Sequence, residues 1–227
     1  MWQRPEQITL IGMQATVSPS SRMRRIGIAA FGAVVAFAVV APTSGVAARL
    51  RSAPTPATRA RVFAVGTRTE AFIDTTRPTP PNGAYPGSPT RPLPTLILYP
   101  ALGKPGGLDH PNAGPAHGPF PLVVFSHGTD SNGAAYEPLL RQWAAAGYVV
   151  AAPTFPLSNH NAPGGNTITD YVHQPGDVSF VITAMLRLNG DRARHFRGVI
   201  DASRIAVAGH SLGAITLSLI HISEPTR

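Results

Sequence analysis

The chain has no cysteine at all, which excludes disulfides, a thiolate nucleophile, a cysteine-ligated metal site and a lipoprotein anchor, while leaving export open. Acidic residues are also scarce. Eleven Asp and Glu stand against 19 Lys and Arg in 227 residues, for a formal net charge of +8. Such an excess would suggest an anionic partner if it were clustered, but it is nearly all arginine, scattered through the leader, a proline-rich segment and one loop. No basic helix face emerges, so nucleic-acid binding is not expected. Nor does any apolar run reach the ~20 residues that a membrane-crossing helix needs. No residue pattern calls for a metal or a cofactor, and none is expected. What is present is a 43% hydrophobic composition, enough for one domain with a real core.

Residues 1–22 show no periodicity and read as an over-extended start of translation. From Met23 the pattern changes to Arg24-Arg25, an apolar run from Ile26 to Ala41, then Pro42 and the small-residue stretch Gly45-Val46-Ala47-Ala48. A charged region, a short apolar run and a small-residue cleavage site are the three parts of a secretory signal peptide, expected over residues 23–48. The protein is therefore expected outside the cytoplasm, extracellular or in the cell envelope, with no stable span after cleavage. Residues 49–60 read as a linker rich in Ala, Pro, Thr and Arg.

The stretch that carries chemistry is Ala206-Val207-Ala208-Gly209-His210-Ser211-Leu212-Gly213-Ala214, an apolar run that breaks into GxSxG. A serine hydroxyl becomes a useful nucleophile when it is held out of a sheet on a sharp strand-to-helix turn, beside a base and facing N–H donors. Glycines two residues to either side permit that turn. Lacking Cβ atoms, Gly209 and Gly213 let the strand end and the first helical turn approach closely, with Ser211 in a strained conformation. Arg204 to Ala208 reads as a buried parallel strand and Leu212 to Leu217 as the start of a helix.

Upstream, strands are expected at Arg61 to Val65, Glu70 to Asp74 and Leu93 to Tyr99, with a proline-rich connection from Pro78 to Pro94 that cannot be helical. His110 and His117, in a Gly/Pro loop, read as solvent-exposed. Phe120 to Phe125 has five apolar residues in six and forms a buried strand that runs into Ser126-His127-Gly128-Thr129. A helix starting no later than Pro138 and stopping at Gly147 leads to a strand at Tyr148 to Ala152. That strand–helix–strand unit implies a parallel sheet. Pro153 to Pro175 is a long loop at the carboxyl end of a strand, where a substrate wall is expected. Asp177 is expected to open the next helix as a partner of its dipole.

On Gly209 to Ala214, Phe125 to Thr129, the Tyr136 to Ala146 helix and the Asp170 to Phe180 run, the sequence resembles the α/β-hydrolases. The likeness is to the bacterial branch related to platelet-activating-factor acetylhydrolases, chlorophyllases, dienelactone hydrolases and cutinase-like polyesterases, and it covers about Arg61 to Thr216. It implies an α/β-hydrolase fold of which residues 61–216 supply the N-terminal part, about five of eight strands in a mostly parallel sheet. It also implies an acyl-enzyme formed on Ser211 from a small-molecule or lipid ester, without a cofactor. The oxyanion donors it implies are the backbone N–H groups of Leu212 and Thr129, each worth roughly 3 kcal/mol of transition-state stabilisation in a dry site.

The family order places an acid and then a histidine after the serine, on later strands. Only His221 and Glu224 follow here, with no strands to carry them, so the triad acid and histidine are expected to be absent from this chain; Asp170, Asp177 and Asp201 precede Ser211. Leu217 to Arg227 reads as the translation of a transposase sequencing adapter and is expected to be a non-native tail. On that reading the fragment as given is inactive and the Ser211 strand is an unpaired sheet edge. Two alternatives stay open: a polyesterase or lipase with a shallow open cleft, and a non-catalytic secreted protein on a hydrolase scaffold.

Overall fold

The computed structural model describes residues 8–10, 61–106, 110–192 and 195–222. The signal-peptide and linker readings lie outside the described residues. The strands are β1 (Ile8–Leu10), β2 (Ala64–Asp74), β3 (Arg91–Ala101), β4 (His110–Pro111), β5 (Phe120–Ser126), β6 (Val149–Pro153) and β7 (Ile200–Gly209). The helices are α1 (Glu137–Ala145), α2 (Gln174–Gly190) and α3 (Leu212–Ile222), with 3-10 turns at Gly133–Tyr136 and Ile168–Val172. One sheet runs in the order β1-β7-β5-β6-β3-β2-β4. Its long members are five strands, the number the family resemblance implies, joined by two short edge pieces.

β2 and β3 form an antiparallel pair in continuous register from Ala64↔Ala101 to Asp74↔Arg91. The two candidates at Arg61 to Val65 and Glu70 to Asp74 are thus one strand, because Gly66 to Thr69 continue the ladder without a break. β3 also pairs antiparallel with β6, whereas β6–β5 and β5–β7 are parallel.

Alternation along the strands sorts the core into two layers, as a period of two requires. Leu122, Val124, Val149, Ala151, Ile205 and Val207 pack with Val178, Val181 and Met185 of α2 and Leu217 of α3. Val123, Phe125, Val150, Ala152 and Ala208 pack with Leu140 and Ala144 of α1. Strands buried on both faces read as unbroken apolar runs, which is why β5 and β6 are so plain in the sequence.

Three boundaries depart from expectation. The outer side of β7 is not wholly unpaired: Ile8, Thr9 and Leu10 run parallel to Ile205, Ala206 and Val207. A three-residue strand is too short to show a period, so residues 1–22 gave no sign of it. α2 begins at Gln174 rather than Asp177, with Pro175 in its first turn, where a missing N–H leaves no helical bond unmade. α3 runs on through Ile222, and Leu217 is buried.

Candidate active site

Ser211 sits between β7 and α3 with φ +53°, a left-handed conformation that costs a non-glycine residue about 1–2 kcal/mol. The flanking glycines have steric reasons. A Cβ on Gly209 would lie 2.7 Å from the carbonyl of Gly213, and one on Gly213 would overlap the carbonyl oxygen of Ser126. Strand β5 is thus pressed against the first turn of α3. The turn is closed by His210 N–H donating to Ser126 O at 3.1 Å and by Gly213 N–H donating to His210 O at 2.9 Å. Leu212 is the first residue of α3, so its N–H has no intrahelical acceptor.

The end of β5 approaches the same point. A Cβ on Gly128 would lie 3.2 Å from Ser211 Cβ and 3.1 Å from His210 Nδ1. His127 is wholly buried, with its ring centroid 4.9 Å from that of Phe155. Its Nε2 accepts from Phe155 N–H at 3.0 Å, and its Nδ1 lies 2.7 Å from Gly128 O. An acceptor on one side and a carbonyl on the other fix a neutral imidazole protonated on Nδ1. Burial pushes its pKa below the ordinary histidine value, against the opposing pull of the Gly128 carbonyl and Asp170. The bond has a geometric consequence. In a trans peptide C=O and N–H point in opposite directions, so holding the Gly128 carbonyl inward directs the Thr129 N–H away from His127.

Thr129 is exposed, and its hydroxyl donates to Asn166 Oδ1 at 3.1 Å. Asp130, next in the turn, also has a positive φ of 57°, and its N–H donates to Ser158 O at 2.9 Å. The turn after β5 therefore rests on the loop that follows β6. That loop is cross-braced: Asn159 Nδ2 donates to the carbonyls of Phe155 and Pro156 at 2.7 and 2.9 Å, and Asn166 Nδ2 donates to Ser158 O at 2.7 Å. It is also tied to the connection between β2 and β3, where Asn82 Nδ2 donates to Pro163 O at 2.8 Å and to Gly165 O at 2.5 Å.

Three polar groups beneath the site escaped the sequence reading. Tyr136 Oη lies 3.2 Å from Gly128 N and 2.9 Å from His210 Nδ1. Gln174, buried at the start of α2, donates to Ser158 Oγ at 2.8 Å and accepts from the Thr216 hydroxyl, linking α2 to α3. The third is an ion cluster. Arg91 is fully buried and donates from Nε and Nη2 to Asp177 at 2.6 and 2.7 Å, and from Nη2 to both oxygens of Asp170 at 2.9 Å. Arg77 joins Asp177 to Asp74 at 2.8 and 2.7 Å.

Asp177 lies in the first turn of α2, where a carboxylate suits the helix dipole, and it is also a buried ion-pair partner. The guanidinium of Arg91 is raised above its ordinary pKa: burial works against the charge, and the two carboxylates outweigh it. For Asp74, burial likewise opposes ionisation, and hydrogen bonds from Thr76 and Arg77 win, holding its pKa below the usual value.

The structure brings Ser211, Leu212, His210, Gly209, Gly213, His127, Gly128 and Thr129 into one neighbourhood. His110 and His117 are exposed, the first in β4 at the opposite edge of the sheet from β1 and the second in the loop before β5. Among the described residues no group of three or more His, Cys, Asp or Glu side chains is arranged to hold a metal ion. No helix among them is long and apolar enough to cross a membrane. An apolar groove of about 230 Å³ runs along Val123, Trp143, Tyr148 and Ala206 to Ala208, on the α1 face of the sheet.

None of the curated proteins matches the chain. Among solved structures, a ferulic acid esterase from Streptomyces cinnamoneus, determined at 2.4 Å resolution, is similar over 75% of this chain and 58% of its own, with a TM-score of 0.50 and 26% identity. The chain thus spans somewhat more than half the length of that esterase, and the likeness agrees with the mostly parallel sheet and its helices in placing the chain in the α/β-hydrolase fold. A family model described as Chlorophyllase matches residues 110–223, from β4 to the end of α3, which include both motif stretches. The chain belongs to the chlorophyllase family.

Proposed function

We propose that the protein is a secreted carboxylic ester hydrolase in which Ser211 is acylated and the N–H groups of Leu212 and Thr129 hold the oxyanion. The observation that carries this reading is the close approach of the Gly128 turn to the left-handed Ser211. It supports a serine whose hydroxyl is presented at the mouth of the sheet, flanked by one N–H from each motif.

In the first step the serine oxygen attacks the ester carbonyl, its proton passes to a general base, and the carbonyl oxygen becomes the oxyanion between the two N–H groups. Collapse expels the alcohol, which takes the proton, and water then hydrolyses the acyl-serine by the same route. Neither histidine beside Ser211 suits the base. His127 is buried with both ring nitrogens engaged, and the ring of His210 is turned to Tyr136. The base and its acid partner are proposed to come from sequence after Thr216.

The substrate is proposed to be a small-molecule or lipid ester with an apolar portion. Ile168, Val172 and Ile215 are more than half exposed, one of them on the first turns of α3 and two on the 3-10 turn packed against it. A polyesterase or lipase acting at an open surface is the second reading, favoured by that apolar exposure. Labelling the whole protein with a fluorophosphonate and mapping the adduct tests the assignment. Modification of Ser211, abolished by Ser211→Ala, is expected; labelling elsewhere, or equal labelling of the variant, overturns it. Hydrolysis of short- and long-chain nitrophenyl esters then separates the two readings.

A further inference from the structure

We propose that Tyr136 is a positioning residue that locks the oxyanion turn onto the nucleophile elbow through one hydroxyl group; this rests on the serine-esterase reading above. The phenol stands at the end of the 3-10 turn Gly133–Tyr136, immediately before α1. That turn is itself immobilised. Asn132 Oδ1 accepts from Ala135 N–H at 3.1 Å, and a Cβ on Gly133 would lie 2.6 Å from the carbonyl oxygen of Ala152 in β6. The ring is clamped between Phe125, at 4.7 Å between centroids, and His210, at 5.6 Å.

From that platform the hydroxyl reaches two partners. It accepts from the backbone N–H of Gly128 at 3.2 Å, so its single proton is available for His210 Nδ1 at 2.9 Å. Donation of that proton corresponds to the His210 tautomer protonated on Nε2.

The two peptides flanking Gly128 are then fixed from different sides. The His127–Gly128 peptide is held by Tyr136 through its N–H, and the Gly128–Thr129 peptide by His127 through its carbonyl. Rotation of either would redirect the Thr129 N–H away from the oxyanion position proposed above for it and the Leu212 N–H. Gly128 is buried, so a lost acceptor is not readily replaced by water. By joining Gly128 and His210, the same hydroxyl also sets the spacing between the two oxyanion donors, since one follows Gly128 and the other follows Ser211. The substrate is not touched, and the effect is transmitted through backbone geometry.

The test uses the whole protein with Tyr136→Phe, His210→Ala, the double variant and Ser211→Ala, assayed on 4-nitrophenyl butyrate and its thiono analogue. Sulfur in place of the carbonyl oxygen weakens the bonds made in the oxyanion site, so the oxo/thiono ratio of kcat/KM reports on that site and not on folding. Tyr136→Phe is expected to lower kcat by ~10- to 100-fold, with KM within about twofold of wild type, and to shrink the oxo/thiono ratio by a similar factor. The double variant is expected to be no slower than Tyr136→Phe alone, because both changes break one linkage. An unchanged kcat and ratio in folded Tyr136→Phe, or strictly additive losses, would overturn the proposal. Should Tyr136→Phe fail to fold, His210→Ala decides alone: a reduced ratio supports the linkage and an unchanged one refutes it. Wild-type protein without Ser211-dependent turnover would overturn the esterase reading and this proposal together, whereas turnover indifferent to Tyr136 would remove this proposal only.

Discussion

The elbow at Ser211 and the ion cluster around Arg91 both place polar groups within a sheet of apolar strands, yet they are assembled by opposite means. The elbow is local: Gly209, Ser211 and Gly213 lie within five residues, and what presses on them from a distance is the backbone at the end of β5, from Ser126 to Gly128. The cluster is non-local, with Arg91 bonding Asp170 and Asp177, 79 and 86 positions away. The first is specified by the absence of side chains and the second by their presence. Backbone close approach tolerates no added atom, while a buried charge tolerates no lost partner.

Mutation sharpens that contrast. Arg91→Leu leaves Asp170 and Asp177 without their shared cation, and removing one partner of a buried ion pair costs about 3–5 kcal/mol. Urea unfolding of the variant should show that loss, and a variant as stable as wild type would mean that the cluster contributes nothing. Gly213→Ala attacks the other region. Its methyl group would overlap the Ser126 carbonyl, and an overpacked site of this kind costs about 1–3 kcal/mol. Because β5 and α3 must separate to admit it, activity should fall further than stability does, which comparison of kcat with the unfolding midpoint would reveal.

The sequence disclosed these two regions unequally. GxSxG and the Phe120 to Thr129 stretch were readable because a glycine has few other reasons to recur at a fixed spacing, and because a strand buried on both faces is apolar throughout. β5 and β6 followed from the same rule, whereas β2, half-exposed and polar at Thr67 to Glu70, was read as two pieces. Arg91 stood in a proline-rich segment and Asp170 in a loop, with nothing local to mark either as buried. Their pairing depends on the β2–β3 register and the path of the loop after β6. Tyr136 was visible only as the start of the Tyr136 to Ala146 helix, because its ring packs while its hydroxyl alone carries the polar contacts. The Gln174–Thr216 bond, which crosses from α2 to α3, was equally hidden.

That bond supplies a smaller test of the non-local class. Thr216→Val keeps the shape but removes the donor, leaving the buried Gln174 carbonyl oxygen unsatisfied, a change worth about 1–3 kcal/mol. Thermal unfolding should register it, and no shift at all would mean that Gln174 finds another donor.

The smallest effect expected is a pH dependence from His127. Burial depresses its folded-state pKa below the unfolded value of about 6.5. Above that value the histidine is neutral in both states and its contribution is fully present. As pH falls below it, the unfolded chain takes up a proton that the folded protein resists, so stability declines until the folded pKa is passed. Unfolding free energies measured between pH 5 and 8 should therefore slope more steeply for wild type than for His127→Gln. Equal slopes would place the titration elsewhere.

The clasp between Asn82 and the Pro163 to Gly165 backbone bears on how a substrate would be received. A Cβ on Gly164 would overlap the Asn82 carbonyl, and one on Gly83 would lie 2.7 Å from the Gly164 carbonyl, so the two loops interlock rather than merely touch. Neither moves without the other, and with Asn159 and Asn166 bracing the same segment, few independent torsions remain to be frozen when a ligand arrives. Ordering a flexible wall subtracts from affinity, and these bonds restrict the segment in the absence of a ligand. On the proposed ester-hydrolase reading, selection among esters would rest on the fixed contour of this braced segment rather than on a loop that closes.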